Sequence, residues 1–299
     1  MVVQKENKAI SHPGQYVKAD WIFLYNAVSP NGTEIQKGSD CLRISLDHVV
    51  HFVKNDPSFA IKEMEDRGWH AVHGGRHEKW GTYNSLMYAG LSYIEFLSVE
   101  DTAIARASDN PLIQLLLKDQ EGLGQICLRT ADISALKRQL AKEGFETGEI
   151  LDAQRIREDG KVLQWKMLFI KKESGLPYPF FIQWGQRDEE RLKDLKGSGI
   201  LTAGQSRRKI AAVHFGVNDI ESTIKEWEVL LGKPAGEIYI HNNCRCCSIS
   251  LRSTELVFRQ PISEGYVSNM LKLKGERPYL VVLGDNKESE EIYGALYRF

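Results

Sequence analysis

From Leu42 onward, apolar and polar positions along the chain follow a rhythm that repeats. The run ISLDHVVHFV is apolar and β-branched over the length of one strand, and the following DPSFAIKEMEDRG carries helical spacing. Asp56 before Pro57 is a good helix start, and Gly68 is a good stop. Three more strands are predicted in WHAVHGG, GTYNSLMYA and LSYIEFLSV, with a tight turn at Ala89-Gly90. The order is strand, helix, strand, strand, strand. It recurs from Gly122, where GQICLRT is a strand, Asp132 caps a helix through Glu143, Gly144 stops it, and strands follow around KVLQWKMLFI and PFFIQWG. It recurs again from Lys209, with IAAVHFGV, a helix from Asp219 to about Leu231, and strands near GEIYIHN, CRCCSISL and TELVFRQ. The spacing of the units is roughly 80 residues, and such self-similarity constrains architecture more than any single motif does. PYLVVLGD predicts one further strand, and KESEEIYGALYRF a closing amphipathic helix.

Residues 1–41 read differently. Pro13, Gly14, Pro30, Gly32 and Gly38 punctuate a single short apolar run, Trp21 to Leu24, so this stretch is expected to be an appendage dispensable for the core. The start lacks the apolar run of a signal peptide and no segment nears the ~20 apolar residues of a membrane span, so a cytoplasmic protein without membrane association is expected. Lysine and arginine total 39 against 40 acidic residues, which provides no net field to gather nucleic acid. The odd count of five cysteines, three of them at Cys244, Cys246 and Cys247, is a poor match to a disulfide framework and predicts reduced thiols. Strand alternation splits the three between two faces, which favours buried inert thiols over a metal site.

The repeated βαβββ order, together with LDHVVHFV, HGGRHEKWGTYNSL and YIEFLSVED, resembles the vicinal oxygen chelate superfamily, specifically its glyoxalase-like domain branch with the glyoxalase, bleomycin-resistance and extradiol dioxygenase fold. The resemblance covers about 42 to 262. It implies an α+β fold of repeated βαβββ modules forming an incurved, mostly antiparallel sheet, with helices on the convex side and a ligand site in the cup. Residues 42–206 are then a pair of modules sharing one sheet, and 207–299 a third, degenerate module with a C-terminal helix, covering an edge or the convex face.

The superfamily commonly places a metal ligand on the first strand of a module and a carboxylate on its last, and here those places fall on His48 and Glu95. Alternation sets His48 on one face with Leu46 and Val50, and Glu95 with Tyr93 and Leu97. A carboxylate among apolar neighbours needs a cation, a metal or several donors, so a structural salt bridge is the competing reading of Glu95. The corresponding places of the second module carry Gln125 and Gln183, neutral amides that bind divalent ions weakly. A divalent metal, Zn, Mn, Fe or Ni, is the cofactor the resemblance implies, and the two glutamines depart from its usual ligand set. In HGGRHEKWGTYN, Gly74 and Gly75 permit a shaped loop, from which His77 can serve as general base and Arg76 as an anion clamp; a solvated turn is the alternative. Thr82 and Asn84 share a strand face and are candidates to bind ligand or hold Glu95. Lys166 is a candidate to neutralise an anionic substrate if its face lines the cup, while Trp165 and Trp184 read as core. The third module, with Ala211 and Ala212 on its first strand and Glu255 lacking an obvious partner, reads as structural.

Two functions remain open on this reading. One is a metal-assisted lyase, isomerase or dioxygenase acting on a small oxygen-rich or carbonyl metabolite, with His77 and Glu95 in the chemistry. The other is a non-catalytic binder resembling the superfamily's drug-sequestering members. Either way the expected partner is a small molecule, and the chain is expected to be a monomer or homodimer.

Overall fold

The computed structural model describes residues 43–157 and 159–299; the predicted appendage, 1–41, lies outside them. The first module comprises β1 (Ser45–Phe52), α1 (Ser58–Glu65), β2 (Ala71–His77), β3 (Thr82–Ala89) and β4 (Ser92–Val99). Helix α1 starts just after Pro57, and the Asp56 carboxylate accepts the Ser58 N–H at 2.8 Å, as its capping role predicts. Helices α2 (Thr102–Ala107) and α3 (Pro111–Asp119) lead to the second module, β5 (Gly122–Arg129), α4 (Ile133–Lys142), β6 (Leu151–Ile156), β7 (Val162–Leu168) and β8 (Phe180–Trp184). Helix α5 (Asp188–Gly197) then precedes a third module of β9 (Ala212–Gly216), α6 (Ile220–Leu231), β10 (Tyr239–His241), β11 (Cys244–Leu251) and β12 (Thr254–Pro261). The chain closes with α7 (Tyr266–Lys274), β13 (Arg277–Val282), β14 (Glu290–Ile292) and β15 (Ala295–Arg298).

The first two modules share one eight-stranded sheet in the order β2-β3-β4-β1-β5-β8-β7-β6, as the repeat requires. Within each module the first and last strands pair in parallel, β1 with β4 and β5 with β8, and the modules join through antiparallel β1 and β5. A second sheet of seven strands runs β10-β11-β12-β9-β13-β15-β14 and repeats that plan. Here β13 pairs antiparallel with β9 and parallel with β15, so the C-terminal strands stand where a fourth module would, without its helix and outer strand. The predicted closing helix is thereby corrected. Ile292, Ala295 and Tyr297 are buried, and Tyr293 and Gly294 both take positive φ (46° and 71°), the geometry of a tight hairpin turn that ends any helix. The stretch predicted as a shaped loop around His73, Arg76 and His77 is instead strand β2, bulged between His73 and Gly75.

One core lies between the two sheets. It takes Met64 from α1, Leu136 and Leu140 from α4 and Trp227 from α6, and it takes Val49, Ile126, Phe215, Phe258, Val281 and Tyr297 from the strands. The third module and the C-terminal strands therefore cover the convex side of the first sheet. His51 of β1 ties them to it. Its Nε2 lies 3.1 Å from the Tyr293 carbonyl, which only accepts, so Nε2 carries the proton and Nδ1 accepts the Tyr297 hydroxyl at 2.7 Å. Burial holds the His51 pKa down at about 4, against the ordinary 6.5.

Between pH 6.5 and about 4 the unfolded chain thus takes up a proton at His51 that the native state refuses. Stability should fall as pH drops through this window, by up to about 3 kcal/mol from this residue. Urea denaturation at pH 7 and pH 4 measures it, and His51→Gln should flatten the slope. Tyr297→Phe, which leaves buried Nδ1 without a donor, should cost about 1–3 kcal/mol at pH 7.

Candidate metal and ligand site

The site begins with an irregularity in β1. The β1–β5 register slips between Leu46 and His48, so Asp47 is an extra residue and no longer alternates away from His48. Both side chains join one buried network on the concave side. Asp47 is fully buried and accepts from Arg129 Nη1 at 2.8 Å, Trp184 Nε1 at 2.9 Å and His48 Nδ1 at 2.9 Å, with Arg191 Nη1 at 3.6 Å. Burial by itself raises the Asp47 pKa, but Arg191, the His48 bond and Arg129 together pull it well below the usual carboxylate range. Asp47 is therefore an anion, and His48 Nδ1 must be the donor.

That assignment fixes the other side of the imidazole. His48 Nε2 faces Glu95 Oε2 at 3.4 Å, and Tyr93 stacks on the ring at 4.6 Å. Glu95 Oε1 accepts from Asn84 Nδ2 at 2.5 Å and lies 4.0 Å from His77 Nε2, while His77 Nδ1 meets Thr82 Oγ1 at 3.1 Å. Burial lowers the His77 pKa, Glu95 opposing and Arg155 and His48 assisting, which favours the neutral ring near pH 7. Gly74 makes this packing possible, because a Cβ there would fall 1.8 Å from Asn84 Oδ1. That oxygen is buried and has no hydrogen-bond partner.

His48, His77, Thr82, Asn84 and Glu95 thus come together, all from the first module. The remaining candidates do not join them. Gln183 belongs to the helix side: its Oε1 accepts the Ile133 N–H at 2.9 Å and caps α4, because Phe180 and Ile182 take the cup-facing places of β8. Lys166 pairs in register with Gln183 and sits half-exposed, 3.9 Å from Asp152, outside the cup. Gln125 spends its amide on the Tyr178 carbonyl. Arg76 is exposed and pairs with Glu100 at 2.5 Å. Opposite His48 the second module presents Cys127 and the edge of Phe180, 5.4 Å from the imidazole.

Asp47, His48 and Cys127 also bring donor atoms within 4.8 Å of one another. They do not suit a metal as a trio, since Asp47 is engaged by Arg129 and Trp184, and burial pushes the Cys127 thiol well above its ordinary pKa. Asp47, Arg129 and Arg191 escaped sequence reasoning. Strict alternation sends Asp47 to the wrong face, and Arg191 arrives on α5, where its guanidinium lies 4.2 Å over Trp184 and donates to the Leu91 carbonyl.

A cup of paired βαβββ modules, with a histidine on the first strand and a carboxylate on the fourth, defines a vicinal oxygen chelate protein. The chain belongs to the glyoxalase-like domain family, whose model matches residues 46–231, more than half of its length. A hypothetical protein from Staphylococcus aureus shares the fold at TM-score 0.69 and 24% identity, over 86% of this chain and 98% of that one. A variant of 4-hydroxymandelate synthase from Streptomyces coelicolor shares it at TM-score 0.55 and 10% identity, over 82% of this chain and 72% of that one. Comparison with the curated proteins gives no match. No helix among the described residues is long and apolar enough to cross a membrane.

Asp47→Asn should cost about 3 kcal/mol or more, because it leaves two buried guanidinium groups short of their anion; equilibrium denaturation measures it. Gly74→Ala should displace Asn84 from Glu95, which a crystal structure of that variant would reveal.

Proposed function

We propose that this protein is a metal-assisted enzyme acting on a small oxygen-rich or carbonyl compound, with His48, His77 and Glu95 as the groups that hold a divalent ion. The supporting observation is the pairing of His48 with Glu95. With Nδ1 donating to Asp47, the lone pair on Nε2 faces a carboxylate oxygen at 3.4 Å, an arrangement that demands a positive charge between them. A divalent cation satisfies it, and the carboxylate, histidine and ion then form the usual chain in which an outer carboxylate orients a ligand imidazole. Two imidazoles and one carboxylate, with the opposite wall left free of ligands, suit Fe²⁺ or Mn²⁺ carrying exchangeable waters better than a closed structural zinc. Such an ion, when bound, supplies Lewis-acid stabilisation to oxyanion charge developing on a substrate.

The chain's own residues have separable tasks. Asp47 sets the tautomer and orientation of His48. Asn84 fixes Glu95 by its amide, and Thr82 fixes His77. His77, at the margin of the cup with its side chain 17% exposed and its pKa lowered by burial, offers Nε2 beside Glu95. Phe180, Ile182 and Trp184 form an apolar wall against water.

A second reading is a ligand-sequestering protein without metal, and the same apolar wall favours it, because the second module supplies no ligand where the first supplies His48, His77 and Glu95. In that case the charge between His48 and Glu95 is a proton on the imidazole.

Metal analysis of protein purified without chelator separates the readings. The enzyme reading expects close to one equivalent of a first-row divalent metal, lost in Glu95→Gln and weakened about 10–100-fold in Asp47→Asn. Metal-free protein that also fails to take up Fe²⁺, Mn²⁺, Zn²⁺ or Ni²⁺ on titration would leave only the sequestering reading.

A further inference from the structure

The second sheet has a cup of its own. Val213, Phe215, Cys247, Leu256 and Phe258 point into the core between the sheets, so the alternate residues, including His214, Cys246 and Arg259, face the other way. Helix α7 covers part of this face, with Val267 and Met270 packed on Cys244, Cys246, Tyr279 and Leu280. Gly216 makes room for it, since a Cβ there would fall 2.4 Å from the Met270 methyl. Beside α7 remains a cavity of about 230 Å³ lined by Arg259, Tyr279, Arg298, Leu280, Leu296 and the first turn of α7.

Three polar atoms in and behind this cavity lack a well-formed hydrogen bond. Arg259 is only 6% exposed; one terminal nitrogen donates to the His241 carbonyl at 2.9 Å, but its Nε has no partner. The Tyr279 hydroxyl, beside it and 4% exposed, interacts with the Arg259 guanidinium but makes no well-formed hydrogen bond. Behind them His214 approaches the Tyr279 ring edge-on at 6.3 Å, and its Nδ1 is likewise buried without a partner. Burial, with smaller contributions from Arg259, Arg298 and His241, holds the His214 pKa at about 3. The acid on the rim, Glu264, is already neutralised by Lys272 at 2.6 Å. The sequence reading took Ala211 and Ala212 as the first-strand places of this module, whereas β9 also carries His214 on the face away from the core. Glu255 also has a partner, the Ser250 hydroxyl at 2.5 Å.

A buried guanidinium with an unpaired Nε, a buried hydroxyl whose neighbour is that guanidinium, and a second arginine on the rim have one chemical complement. We propose that this cup is a second ligand site, for the oxyanion group of a small organic anion, a carboxylate or phosphate monoester, with Arg259 and Tyr279 at its floor and Arg298 at its rim. The N–H groups of the first turn of α7 add to the same preference. Leu280, Leu296 and the Tyr266 ring, 5.8 Å from Tyr279, offer an apolar body its contact surface. The cavity lies below the roughly 300–1,000 Å³ of ordinary drug-sized sites, so the body must be short.

Isothermal titration calorimetry of the full chain with inorganic phosphate, phenyl phosphate, benzoate and neutral benzyl alcohol tests the assignment. At least one anion should bind while benzyl alcohol does not, and the preference between phenyl phosphate and benzoate tells the two headgroups apart. Arg259→Gln should weaken that binding about tenfold or more, and Tyr279→Phe by a smaller factor. Binding should persist in Glu95→Gln, which excludes a metal in the first cup as its cause. If Arg259→Gln does not fold, Tyr279→Phe and Arg298→Gln carry the comparison. Absence of binding by every anion at millimolar concentration, or affinities unchanged in the folded variants, would overturn the proposal.

Discussion

The arrangement of the first cup depends on one buried anion. Asp47 gathers Arg129 from β5, Trp184 from β8, Arg191 from α5 and its own neighbour His48, so four elements from both modules meet on two oxygens. Taking a carboxylate out of water costs several kcal/mol, and only the surrounding donors make its charged form tolerable. Because Asp47 is charged, His48 Nδ1 is its donor, and Nε2 is the atom turned toward Glu95. The pairing of His48 with Glu95 is in this sense a consequence of an ion pair that lies beside it. Asp188 extends the network outward by a second bond to Arg129 at 2.9 Å, fastening the start of α5 over the cup.

The modules have diverged within one plan. Each sheet is built from two units joined through antiparallel first strands, and the two sheets bury their convex faces against the same helices. In the first sheet, one unit supplies His48, His77 and Glu95 while the other supplies Cys127, Phe180 and Ile182. The second sheet carries Arg259 at the place of Glu95, and Arg298 beyond it, around its own first-strand histidine. A single scaffold thus presents two cups with different linings, histidines and a carboxylate in one, a histidine and arginines in the other. Dispersal of sites over repeated units in this way is what makes fold a weak guide to reaction and local chemistry a stronger one.

The amino-acid sequence by itself determined the modular order, because a period of two in the strands and 3.6 in the helices is a local property that needs no partner to be read. It also singled out His48, His77, Thr82, Asn84 and Glu95, which the structure brings together, because polar residues in apolar strands stand out locally. Tertiary structure decided the rest. A single inserted residue in β1 turned Asp47 to the face that strict alternation denied it, and no local pattern marks such a bulge. The places of Gln183 and Lys166 depended on which face of β8 and β7 met the helices, and the alternation of those strands is nearly symmetric in apolar character. Arg191 came from a helix whose own polar pattern announces a solvated surface. The C-terminal residues that read as an amphipathic helix became a hairpin because a sheet edge beside β13 offered hydrogen bonds and a buried face, terms that exceed the small local preference for helix.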